Sequence, residues 1–465
     1  MKKLTLLLLL LASAGSTILN AQSAKPNIVF ILADDLGYTD LGAYGNPFNE
    51  TPHLDSLAKS GIKFTQAYSA CPVCSPSRAA IMTGKYPARL HLTNYIAGDR
   101  RDSSSTIAPA QWTKYLPSKE ITITELLKEK GYTTGIVGKW HLTTSPKTDS
   151  TSPTAQGFDY DRIIDSNGLD YYNYGISAKG KLIFKDHGKE YITDKLTCYA
   201  VDFIDQNKSK PFLLYLPYSA PHVFIVPKAE KLGKYYVKYE KFKAKKKYNP
   251  DYAALLESLD EGVGRVINKL RKEGLLENTI IIFTSDNGGL GLDELGPTPT
   301  SLEPLRAWKG HVYEGGVRVP LIISWKGKLA ANAQTDNQVI GADFLPTLLE
   351  LLNDKKLPAH VDGKSFAATL SKPQTAVERG AIFWHYPHFS NQLGRPAAAV
   401  RLGDYKLIEF YESGKLELYN LKEDISESND LSTLQPDKTK ELYTLIKRWR
   451  ADVNANMPES NLHKK

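Results

Sequence analysis

The sequence predicts an α/β protein, a large, mostly parallel sheet sandwiched by helices, with a small C-terminal subdomain of antiparallel sheet plus helix. Three observations carry this expectation. Continuous apolar, β-branched runs such as Asn27–Leu32 (NIVFIL) and Thr279–Thr284 (TIIIFT) read as strands buried on both faces. Helical patterns lie between such runs, and strand–helix alternation builds a parallel sheet covered on both sides. After about Gly380 the segments become short and turn-separated, which is the antiparallel style.

The chain has 465 residues, 42% hydrophobic and 24% charged, too apolar and too mixed in charge for global disorder. Residues 1–21 stand apart. Lys2 and Lys3 precede the apolar run Leu4–Ala12, and Leu19-Asn20-Ala21 offers a small residue for cleavage, the pattern of a signal peptide. The expected location is therefore exported, periplasmic or secreted. No later stretch approaches the ~20 apolar residues of a membrane-spanning helix. The formal charge is +8, or +6 once Lys2 and Lys3 are removed, which is compatible with an anionic substrate but does not demonstrate one. Nothing in it points to nucleic acid. Three cysteines (Cys71, Cys74, Cys198) are too few, and odd in number, for a disulfide-built scaffold.

In chain order, Asn27–Leu32 forms the first strand and ends at Asp34-Asp35. Thr51-Pro52 opens a short helix that runs to Lys59. Thr122 and Glu125 form a capping-box pattern, the helix closes at Gly131, and Tyr132–Val137 is the next strand. Thr193–Gln206 reads as a helix and Pro211–Leu216 as a strand. Leu255, Leu259, Val263, Val266, Ile267 and Leu270 give Asp251–Lys272 one buried helical face. Thr279–Thr284 then ends at Ser285-Asp286-Asn287-Gly288. Ligands gather at the carboxyl ends of such strands, so the two acidic clusters can meet. The expected division is a catalytic domain over 22–379 and a subdomain over 380–465. The latter holds short strands near 398–401, 405–411 and 416–420 and a final helix over 439–453.

The chemistry concentrates in Cys74-Ser75-Pro76-Ser77-Arg78 through Thr83-Gly84. Serine and proline after Cys74 start a helix there, which places residue 74 at the positive end of its dipole. An anion can be held there, with Arg78 one turn on reaching the same space, and a bare thiol would be acidified. A buried free cysteine or a Cys71–Cys74 bridge fits that stretch as well. A second distinctive string is Gly131–Leu142 (GYTTGIVGKWHL).

With both strings, the chain resembles the type I, formylglycine-dependent sulfatases of the alkaline-phosphatase-like superfamily, and the bacterial secreted carbohydrate sulfatases in particular. Cys74–Gly84 matches the first family signature and Gly131–Leu142 the second, and the likeness runs from about Pro26 to Leu431. The resemblance implies that a formylglycine-generating maturation enzyme converts Cys74, and that the hydrated aldehyde attacks the sulfur of a sulfate ester. One hydroxyl would become the sulfate carrier while the other collapses to aldehyde and expels sulfate. Asp34, Asp35, Asp286 and Asn287, with residue 74, match the calcium ligands, an oxygen-rich set suited to a hard cation. The resemblance also gives His141 to the formylglycine hydroxyls, Lys139 and Lys309 to sulfate oxygens, and His222 to protonation of the leaving oxygen. Arg78 completes the anion cradle.

Three further features are candidate contacts with a sulfated saccharide. Asn94, Tyr95 and Arg100 follow the first signature, and His385 and His388 lie in His385-Tyr386-Pro387-His388-Phe389. Lys228–Lys247 holds nine lysines, a pattern that suits a sulfated polysaccharide or simply a solvated face. The expected activity is hydrolysis of sulfate esters on sulfated glycans, with 4- or 6-O-sulfated galactose or N-acetylgalactosamine as the leading substrate. The alternatives are a phosphomonoester or phosphonate hydrolase of the same superfamily and a catalytically silent glycan-binding protein.

Overall fold

A computed structural model of the chain describes residues 25–461 apart from 99, 101, 103, 145–149, 166–169, 243–247, 293–297 and 355. The expected leader, 1–21, lies outside the described residues. No helix among those described is long and apolar enough to cross a membrane.

A ten-stranded sheet runs through the larger part of the molecule. Its five central strands are parallel, in the order Thr279–Ser285, Asn27–Ala33, Phe212–Pro217, Thr133–Gly138, Tyr160–Ile164. Antiparallel strands flank this block on both sides, Leu321–Trp325 and Gly175–Ala178 among them. The first strand shows why its apolar run is continuous. Ile28, Phe30 and Leu32 face one core while Val29, Ile31 and Ala33 face the other. The helices Ile192–Asn207 and Pro250–Lys272 cover the second face with Leu196, Phe203, Leu255, Leu259 and Val266. The capping box at Thr122 forms as its sequence predicts, with Thr122 Oγ1 accepting from Glu125 N.

The C-terminal sheet is a four-stranded antiparallel meander: Ile382–Tyr386, Ala397–Leu402, Tyr405–Phe410, Leu416–Asn420. Its first strand, which carries His385, was not among the expected segments. Alternation again divides the faces. Ala398, Val400, Leu407 and Leu418 pack on Leu442 and Ile446 of the helix Pro436–Asp452, while Trp384, Ala399 and Ile408 pack on Tyr68 and Val317 of the main body. Across that second face lies a buried ionic group. Lys406, fully excluded from water, sits 2.9 Å from Glu314 and 3.0 Å from Glu427.

The lysine-rich segment serves the fold. Lys228 pairs with Asp194, Lys231 with Glu257 and Glu261, and Lys234 and Lys238 both reach Glu50. Lys231, through Glu257 and Glu261, seats the helix Ala229–Lys241 against Pro250–Lys272, with Tyr235 buried between them. These four lysines are ion-paired within the protein, which weighs against their reading as a docking surface for a sulfated polysaccharide. Residues 243–247 lie outside the described set.

Candidate active site

Strand register brings the two acidic clusters together. Ala33 pairs with Ser285 on adjacent parallel strands, so Asp34-Asp35 and Asp286-Asn287 leave the sheet side by side at its carboxyl end. The next strands end at the same level. Lys139 N donates to Pro217 O at 2.8 Å, and Asp34 N to Ala220 O at 3.1 Å, which ties the Lys139 and Ser219–His222 loops to this edge. Gly138 permits that approach, since at its φ of +131° a Cβ would lie 1.9 Å from the Pro217 carbonyl.

Cys74 opens the helix Cys74–Thr83, as the motif predicts, and every residue of that helix is buried. Its Sγ lies 3.5 Å from Asp34 Oδ1 and 4.0 Å from Lys139 Nζ. The expected acidified thiol is not found. Burial pushes the Cys74 thiol well above its ordinary value despite the pull of Lys139 and Lys309. Cys71 and Cys74 are both free, so no bridge forms between them.

Around Cys74 the charges interlock. Lys139 Nζ donates to Asp34 Oδ2 at 2.5 Å and Lys309 Nζ to Asp35 Oδ2 at 2.8 Å. Burial alone would raise Asp34, but Lys139, His222, Arg78 and Lys309 together hold it well below the usual carboxylate range. Asp286 goes the other way, to about 6, through burial and the charge of Asp34. His141 Nε2 donates to Ile96 O at 3.3 Å, and its Nδ1 is buried without a partner. Burial, then Lys139 and Arg78, hold His141 well below its ordinary value, so it is neutral near pH 7. His222 Nδ1 lies 2.6 Å from Val223 O and Nε2 3.5 Å from Asp35 Oδ2. Burial lowers this histidine to about 4.

Cys74, Lys139, His141, His222 and Lys309 meet in the wall of one cavity of about 680 Å³. Arg78 does not. It is fully buried behind that wall, its guanidinium engaged by Asp286, Asp34 and the Lys139 carbonyl. It therefore braces the carboxylates, which corrects the expectation that it reaches the anion directly. Tyr95 lines the cavity, but Asn94 is turned inward to Gly98 O and Tyr386, and Arg100 bonds Ser390 O. His385 and His388 are also interior. His385 bonds Tyr411 Oη and Asn456 O, His388 bonds Thr93 Oγ1, and neither lines the cavity. His388 thus ties the C-terminal region to Thr93 of the main body, while His385 is bonded within residues 380–465. Lys114, Thr143, Asp165 and Asn391, not singled out from the sequence, do line it. They come from four separate loops, and no local pattern marks them.

The donor set suits a hard cation. Oxygens of Asp34, Asp35 and Asp286 and the Cys74 sulfur lie within 4.8 Å of one another, all buried. The adjoining Asn287 Oδ1 is a buried acceptor without a donor, while its Nδ2 donates to Asp35 Oδ1 at 2.7 Å. Crowded carboxylates and an orphaned amide oxygen fit a divalent ion bound through oxygen.

A family model described as Sulfatase matches residues 26–354, and one described as N-sulphoglucosamine sulphohydrolase, C-terminal matches residues 307–453. A sulfatase of Formosa agariphila is 33% identical, with 93% of this chain and 90% of the relative covered. The N-acetylgalactosamine-6-O-sulfatase of Bacteroides thetaiotaomicron is 30% identical, with 91% and 93% covered. Among solved structures, Ps i-CgsB in complex with k-i-k-neocarrahexaose superposes with a TM-score of 0.78 at 30% identity, with 91% and 92% covered. The fold is that of the alkaline-phosphatase-like superfamily. Within that superfamily the chain belongs to the sulfatase family, and it is a sulfuric ester hydrolase.

Proposed function

We propose that this enzyme, once exported, hydrolyses sulfate esters on sulfated glycans, with Cys74 converted to formylglycine and calcium held by Asp34, Asp35, Asp286, Asn287 and residue 74. The observation that carries the reading is the meeting of Cys74, two lysines and two histidines in the wall of one cavity, with three buried carboxylates clustered at Cys74. A buried thiol far above its ordinary value is a poor nucleophile, which favours a modified residue 74. Formylglycine would supply the hydrated aldehyde as the attacking group, and calcium would offset the carboxylate charge and polarise a sulfate oxygen.

The chain's own side chains do the rest. Lys139 and Lys309 present ammoniums on two sides of residue 74 and hold the sulfate oxygens. Neutral His141 has an unpartnered Nδ1 to take a proton from the attacking hydroxyl. With Nδ1 of His222 donating to Val223 O, Nε2 is the nitrogen left to face the leaving sugar oxygen; it acts as acid once it has taken up a proton, a form that the Asp35 carboxylate 3.5 Å away favours. Arg78 holds Asp286 and Asp34 in register behind them.

The cavity is of a size that buries a ligand larger than one small ring. The relatives named above support a carbohydrate sulfate, with 4- or 6-O-sulfated galactose or N-acetylgalactosamine the leading substrates. The leader-like residues 1–21 support export to the periplasm or beyond, and a formylglycine-generating enzyme is the partner in maturation.

The test is sulfate release from a panel of sulfated mono- and disaccharides by protein co-expressed with a maturation enzyme. Matched phosphate esters and Cys74→Ala run alongside. Release from one sugar, abolished in Cys74→Ala, is expected. Cleavage of the phosphate esters alone by matured protein would replace the reading with the phosphohydrolase one. Silence on both would leave a longer polymer substrate or a glycan-binding role.

A further inference from the structure

His222 sits on a segment with no regular secondary structure, yet its imidazole must be placed to within a fraction of an ångström to serve as an acid. The segment is pinned at several points. Asp34 N holds the Ala220 carbonyl, and His222 N donates to Ser219 O at 3.0 Å. The phenol of Tyr171, buried to 1% exposure, lies 3.3 Å from Ser219 O and 2.9 Å from His222 O. One hydroxyl thus spans both ends of the Ser219–His222 turn. The peptide it holds joins His222 to Val223, and the Val223 carbonyl is the acceptor that orients the His222 ring. The Tyr171 ring stacks on Tyr191, centroids 5.4 Å apart at 24°, and Tyr191 Oη donates to Val226 O at 2.9 Å. Two stacked tyrosines therefore grip one segment at both ends.

We propose that Tyr171 is a positioning residue for His222: its buried hydroxyl fixes the backbone that aims the imidazole at the departing oxygen. The inference rests on the reading of His222 as leaving-group acid given above. Tyr171 does not line the cavity.

Leaving-group dependence separates aim from scaffold. A sugar alkoxide needs protonation to depart, whereas 4-nitrophenolate does not, so loss of the acid slows only the first. In matured enzyme, Tyr171→Phe is expected to lower kcat on the sugar sulfate by roughly 10–100-fold, a fraction of the ~10²–10⁴ that a positioned acid contributes. KM on the sugar and kcat on 4-nitrophenyl sulfate are expected to stay within about threefold. Tyr191→Phe, which frees only the Val226 carbonyl, is the second variant and should show the same split at smaller size. It carries the test if Tyr171→Phe fails to fold. Equal losses on both esters, or no loss on either, would overturn the proposal. His222→Ala separates the two levels of inference. If it discriminates between the esters and the tyrosine variants do not, the proposal alone fails. If it does not discriminate, the acid role of His222 fails and the proposal with it.

Discussion

Arg78 grips Asp286 through two hydrogen bonds to a single carboxylate oxygen, Nε at 2.9 Å and one terminal nitrogen at 2.7 Å, with both side chains fully excluded from water. That leaves Asp286 Oδ1 facing Asp35 N at 3.3 Å, within the acidic cluster. The signature arginine thus orients a carboxylate for the cation site. Breaking a buried pair by removing one partner costs about 3–5 kcal/mol, because the other charge stays buried. Arg78→Met is therefore expected to lower Tm and to abolish both sulfate release and the stabilisation by added calcium. Thermal melts with and without calcium check this.

Thiol reactivity follows burial. In protein made without a maturation enzyme, iodoacetamide at pH 8 is expected to modify exposed Cys198 and to leave buried Cys71 and Cys74 unreacted until the chain unfolds. Peptide mass spectrometry after native and denatured labelling reads this directly. Labelling of native Cys74 would show that its thiol is accessible and ionised.

Cation removal has a stability readout apart from turnover. A ligand present at a hundred times its Kd stabilises the folded state by about 2.7 kcal/mol. Chelation is expected to lower Tm, calcium to restore it, and Asp286→Asn to remove that response. Differential scanning calorimetry across a calcium titration is the measurement.

The ionic group beneath the C-terminal sheet predicts a pH dependence of stability. Burial, with the charge of Glu314 beside it, pushes Glu427 up to about 7. Burial would raise Glu314 too, but Lys406, Arg318 and Arg401 outweigh it and hold that carboxyl at about 2. A raised carboxyl binds more protons folded than unfolded, so stability falls as pH rises from the unfolded value of about 4.5 through 7. A depressed one has the opposite sign, and stability falls as pH drops from about 4.5 through 2. The group is thus most stabilising near pH 4.5–5. Glu427→Gln is expected to flatten the fall in Tm between pH 5 and 7.5, as melts across that range would show.

His385 is buried with both ring nitrogens bonded, and burial holds it at about 4, so it is a neutral joint between Tyr411 and Asn456. His385→Ala is expected to cost about 2–4 kcal/mol of stability through the cavity and the unpaired groups it leaves. KM for the sugar sulfate should change less than twofold. Denaturant titration and steady-state kinetics measure the two effects separately.

Much of this protein was legible in the chain itself. Continuous apolar runs at 27–32 and 279–284 announced buried parallel strands, because residues facing either side must be apolar. Acidic pairs directly after those runs, and Ser-Pro directly after Cys74, located the chemistry at strand ends and at a helix start, since local backbone geometry follows local sequence. What the sequence left open was direction and partner. Arg78 reads as an anion ligand until packing turns it to Asp286, and the Cys74 thiol reads as acidified until burial outweighs the dipole. The lysines of 228–238 read equally as glycan contacts or as a solvated face until Glu50, Glu257 and Asp194 arrive from elsewhere in the chain and pair with them. His385 and His388 read as pocket residues until Tyr411, Asn456 and Thr93 engage their rings away from the cavity wall. Composition and short-range pattern determine elements and their ends. Burial and charge pairing between residues hundreds of positions apart exist only once the chain has closed on itself, and there the tertiary structure alone decided.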